Sequence, residues 1–161
     1  MIWSWDLIEQ AEHLASKERG RPKEASLRRA VSTAYYALFH ELCRITANAL
    51  VGSSTRWETY SPVYRLIDHK VAKSLFERTR NAGSGEFRAL GAAVAEIGEN
   101  FIRLQDERHR ADYDPRPYPH DRYVVLGLVA SAKESSTKLD ALSRDVKLEL
   151  AVRLMAASKR K

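Results

Sequence analysis

Leu27-Arg28-Arg29-Ala30-Val31-Ser32-Thr33-Ala34-Tyr35-Tyr36-Ala37-Leu38-Phe39-His40 is the stretch on which the fold turns. Leu27, Val31, Ala34, Tyr35 and Leu38 recur at steps of three and four, and Leu42 and Ile45 extend the row. That period puts them on one stripe of an α-helix; a strand would need alternation. The block so defined runs over residues 22–51. Gly20-Arg21-Pro22 opens it, with Pro22 suited to a first helical position, and Gly52 closes it as a C-cap.

The same signals extend outward. A first helical block covers residues 3–17. A third, opened by Ser61-Pro62, covers residues 61–80 and stops before the Gly83-Ser84-Gly85 cluster. A fourth covers residues 86–110, with Phe87, Leu90, Val94, Ile97, Phe101 and Leu104 at helical spacing. Pro115, Pro117 and Pro119 exclude helix from the next segment, since each removes a donor and fixes φ. A fifth block covers residues 121–157, striped by Val125, Leu128, Ala132, Leu139, Leu142, Val146 and Leu150. These elements predict an all-α protein: one domain over the 161 residues, an antiparallel bundle of about five helices, with an unstructured basic tail over residues 157–161.

Composition narrows the classes. The chain is 44% hydrophobic and 30% charged, as a packed domain requires. Its single cysteine, Cys43, excludes an internal disulfide and any multi-cysteine metal site, and its apolar surroundings predict a core thiol. No basic segment followed by an apolar run opens the sequence, and the longest apolar run, residues 124–130, is too short for a membrane span. A cytoplasmic protein is expected. The net charge of +6 favours anionic partners, RNA or nucleotides. No phosphate-cradling glycine loop and no serine-centred nucleophile motif is present, and His13, His69 and His120 lack ligand spacing, so neither cofactor nor metal is expected.

The fourth block carries the chemistry. With about 100° per residue and Arg103 at zero, the apolar stripe fills roughly 100–200°. Gly91, Ala95, Gly98 and Ile102 form a second row of mostly small side chains, either an internal contact or a dimer seam. His109 continues that row, and Asp106 lies about 60° from both Arg103 and His109. RNA is cleaved without metal when its own 2′-hydroxyl attacks the adjacent phosphate. A histidine can move the protons near neutral pH and an arginine can hold the phosphorane charge. Asp106, Asn100 and Asp112 are the carboxylates and amide placed to support them. Arg108, Arg110, Arg28 and Arg29 are candidate phosphate contacts, although such charges also suit a solvated face. Tyr35 falls on the core stripe, Tyr36 can reach a partner or ligand, and His40 is expected to be buried and hydrogen-bonded.

Two elements add a resemblance. The stretch from Leu27 to His40 resembles the second-helix signature of the HEPN superfamily. Arg108-His109-Arg110-Ala111-Asp112-Tyr113 resembles the later Arg-x-x-Ala-Asp-Tyr element of the same group. The resemblance implies a dimerising all-α bundle and, in many members, a metal-independent endoribonuclease acting as toxin or defence effector. Its catalytic pattern, an Arg and then a His after four to six residues, falls on Arg103 and His109. It also implies an alternative: a non-catalytic nucleotide- or RNA-binding module paired with a nucleotidyltransferase antitoxin. In such pairs a tyrosine two residues after the His can be modified; here that position is Ala111, and the nearest tyrosine is Tyr113.

Overall fold

The computed structural model describes residues 2–81 and 90–158. Among them every regular element is helical: α1 (Ser4–Ser16), α2 (Glu24–Val51), α3 (Trp57–Tyr64), α4 (His69–Asn81), α5 (Ala92–Tyr113), α6 (Arg122–Ala141) and α7 (Arg144–Ser158). The expected opening of the fourth block at residues 86–89, including Phe87, and the tail residues 159–161 lie outside the described residues.

The bundle is built around α2. At 28 residues it is about 42 Å long, and α1, α3, α5, α6 and α7 all pack on it. The predicted stripe forms its core face: Leu27, Val31, Ala34, Tyr35, Leu38, Leu42 and Ile45 are all buried. Val94, Ile97, Phe101 and Leu104 of α5 and Val125, Leu128, Ala132 and Leu139 of α6 meet them. Cys43 is buried, and burial pushes its thiol up to about 12, so it packs as a small apolar side chain.

Among the described residues seven helices stand where five blocks were expected, because two blocks are broken by caps that no Gly or Pro marks. Asp68 accepts from the backbone N–H of Lys70 (2.8 Å) and Val71 (3.3 Å), and so starts α4 afresh. Ser143 accepts from Val146 N–H (3.3 Å), with Asp145 in the first turn of α7. Ser61-Pro62 does not open a helix. Pro62 lies inside α3, which starts at Trp57 because Tyr60 is buried against α2.

Two arginines close helix ends. Arg28 donates to the carbonyls of Arg110 (3.2 Å), Ala111 (2.9 Å), Asp114 (2.9 Å) and Arg116 (2.5 Å), covering the C-terminus of α5 and the start of the proline-rich connection. Arg122 donates to Ala15 (3.1 Å), Glu18 (2.5 Å) and Gly20 (2.8 Å) past the end of α1. A buried carboxylate, Glu41, is satisfied by Ser4 Oγ (2.7 Å) and by Arg44, which also pairs with Asp140 of α6 (2.6 Å). Three helices are thereby tied through one charge group.

Gly98 settles half of the small-residue row. A Cβ there would lie 2.7 Å from Phe76 Cδ1 of α4, and Ile102 is buried, so this part of the row is an internal seam with α4. Gly91 and Ala95 are exposed.

Candidate functional site

The C-terminal turns of α5 lie against the first half of α2, from Arg28 to Tyr36, next to the start of α4. Arg108 is the hub. Its guanidinium donates to the Tyr36 hydroxyl (2.7 Å) and lies over the rings of Tyr36 (5.3 Å), Tyr113 (5.4 Å) and Tyr35 (5.9 Å). Asp112, one turn on, approaches Arg108 Nε at 2.9 Å; this is a charge contact rather than an aligned hydrogen bond. Ser32 of α2 donates to the same carboxylate (3.2 Å) and fixes it. The periodicity of α5 explains the grouping: positions 108 and 112 are one turn apart on the side facing α2.

Around the hub stands a set of rings. Tyr35 Oη is 2.7 Å from His69 Nδ1, and Phe39 stacks on His69 with centroids 3.7 Å apart. His40 Nδ1 is 2.7 Å from Tyr64 Oη, as a hydrogen-bonded histidine there should be. Burial lowers the pKa of His69, with the Arg108 charge adding to it, and burial lowers that of His40. Burial raises the Tyr35 and Tyr64 phenols. The rings therefore meet as neutral partners at neutral pH. His69 had no sequence signal of its own, since it is read only against a partner 34 residues away.

The other candidates are distributed as follows. His109 is exposed, its ring 5.0 Å from that of Tyr113, whose residue exposure is 63%. Arg103 is exposed two turns up the helix, and Asp106, also exposed, pairs with Lys73 of α4. His109 lies six positions on from Arg103, about 9 Å of rise and about 120° of turn, so one chain does not close a phosphate-sized site between them. Asn100 donates to Ser135 of α6 (2.9 Å) and belongs to the core side. Arg110 pairs with Glu107 (3.0 Å), which also holds His120 (2.8 Å). Arg28 is engaged at the end of α5, and Arg29 is the exposed cation of that pair. The structure thus brings Arg108, Asp112, Tyr113 and His109 together and leaves Asn100, Arg103 and Asp106 outside that group.

The chain matches no protein-family model, no curated protein and no solved structure.

What the arrangement offers chemically is therefore read from the residues. An accessible imidazole, an accessible phenol and a guanidinium held in place by a carboxylate share one helix end. Such groups have the chemistry to hold a phosphodiester and to move protons at it. Among the described residues no helix is long and apolar enough to cross a membrane, and no three His, Cys, Asp or Glu side chains group as metal ligands.

Proposed function

We propose that this protein is a metal-independent endoribonuclease of the HEPN type, working as a homodimer in toxin or defence. The observation that carries the proposal is the exposed His109 at the end of α5, its ring tilted against that of Tyr113 and next to the anchored Arg108. In the reaction the RNA 2′-oxygen attacks the adjacent phosphorus and the bond to the 5′-oxygen breaks. The products are a 2′,3′-cyclic phosphate and a 5′-hydroxyl. His109 transfers the proton, and Arg103 carries the charge of the phosphorane. Because Arg103 and His109 diverge on one helix, a second copy of the α5 end completes the cleft.

The test is cleavage of single-stranded RNA in EDTA, with analysis of the ends. His109→Ala should lower the rate by about 10²–10⁴-fold and Arg103→Ala by about 10²–10³-fold, with unchanged melting. Equal rates in wild type and His109→Ala would end the proposal.

A second reading is favoured by the exposure of Tyr113: a non-catalytic partner of a nucleotidyltransferase, with the Tyr113 phenol as acceptor. Its mark is a stable complex with such an enzyme and no RNA cleavage at high protein concentration.

A further inference from the structure

The structure places a nearly unbroken line of π-surfaces between the proposed reacting end and a groove at the far end of α2. Arg108 lies over Tyr36 (5.3 Å), and Tyr36 is 6.3 Å from His40. His40 and Tyr64 stack at 6.0 Å with ring planes 17° apart. Tyr64 lies 6.5 Å from Trp57, and Trp57 and Tyr60 stack at 5.9 Å and 27°. The line then opens into a groove of about 250 Å³, lined by Trp57, Trp3, Tyr60 and Asn48 among others. Trp57 and Trp3 are 48% and 52% exposed, unusually so for indoles in a folded domain.

The spacing behind this is simple. Trp57, Tyr60 and Tyr64 fall at i, i+3 and i+7 on α3 and share one face: Trp57 is exposed and Tyr64 half-buried, while Tyr60, buried against α2, backs the Trp57 ring rather than offering a face of its own. Exposed arginines, Arg56 and Arg65, stand at the two ends of that helix. Asn48 Oδ1 already accepts the Tyr60 hydroxyl (2.9 Å), which leaves its amide NH2 as donor for a planar ring seated between the indoles. Aromatic planes interleaved with cations are what single-stranded nucleic acid requires: bases stack, and phosphates run past the guanidinium groups. The Arg44 charge is taken up by Glu41 and Asp140, so the groove itself contributes stacking more than charge.

We infer that this line is a binding track for single-stranded RNA, with the Trp3–Trp57 groove holding one base several nucleotides from the scissile phosphate. The choice of RNA rests on the nuclease proposal. From Tyr36 to Asn48 the helix rises about 18 Å, which suits a site of roughly four nucleotides, the short end for single-strand binders. The same rings would accept a proline-rich peptide, but the flanking arginines and the net charge of +6 favour a polyanion.

The probe is a fluorescein-labelled eight-nucleotide RNA with every 2′-hydroxyl methylated, which cannot be cleaved by 2′-oxygen attack. Binding is followed by anisotropy, so a chain that proves unable to cut RNA still gives a clear result. The wild type should bind; Trp57→Ala should raise Kd about tenfold, and Trp57→Phe, which keeps a ring, should restore most of the affinity. The exposure of Trp57 means both variants should melt with the wild type. Wild-type protein that fails to bind the oligonucleotide, or Trp57→Ala protein that binds it equally well, overturns the track and leaves the cleavage test standing. Capture of a proline-rich peptide at Trp57 without any effect on RNA affinity overturns it in favour of a protein partner.

Discussion

At the scale of single residues, the arginines divide into two kinds. Arg28 and Arg108 are structural anchors whose guanidinium planes meet several acceptors or rings at once; Arg29, Arg56, Arg65 and Arg103 are exposed. A lysine cannot replace the first kind, because its ammonium is a point charge and the fork is lost. Arg28→Lys should therefore behave almost like Arg28→Ala. Either should cost about 2 kcal/mol in urea unfolding, the range for hydrogen bonds to a charged group. An unchanged midpoint in Arg28→Lys would show that the carbonyls of α5 are closed by something else. None of this was visible in the sequence. Arg28 sits in a run of basic residues that reads as a phosphate-steering face, and the four carbonyls it meets, unlike the Glu24 carboxylate one turn before it, lie more than 80 positions away.

At the scale of elements, the stripes and the Gly52 cap could be read, and the side-chain caps could not. The rows Leu27–Ile45 and Val94–Leu104 were legible because burial imposes a 3.6-residue period on any helix facing a core. The breaks before α4 and α7 were not, because Asp68 and Ser143 are ordinary polar residues until their side chains meet a backbone N–H. The i, i+3, i+7 aromatics of α3 were present in the sequence, but Ser61-Pro62 gave a stronger competing signal for a helix start. Two glycines make a paired test of helix contacts. Gly98→Ala drives a Cβ into Phe76 and should cost about 1–3 kcal/mol, more than the gain of up to about 1 kcal/mol that alanine brings to a helix. Gly127→Ala, with open space around it on α6, should keep that gain. If both variants melt above the wild type, the close approach of α4 to α5 is not as tight as the Phe76 contact requires.

At the scale of the whole molecule, the ring cluster couples stability to pH. His40 and His69 have folded-state pKa values below the ordinary 6.5. Above about pH 6.5 both folded and unfolded chains carry neutral imidazoles, and stability should be level. Below it the unfolded chain takes up protons that the native state resists, so stability should fall as pH drops towards the folded-state values. The fall should show as a declining Tm between about pH 6.5 and 5, above the range in which carboxylates titrate. It should flatten in the His40→Asn, His69→Asn double variant. A wild-type Tm that stays constant through that window would mean both rings accept protons freely in the native bundle. The two helix-closing arginines have a different consequence. Arg28 and Arg122 hold neighbouring segments by main-chain oxygens, an atom every amino acid carries. The exposed side chains at positions 115 and 117 are thus free to drift over generations, while Tyr118, packed on the core beneath the Arg28 guanidinium, and the place where that connection docks stay put.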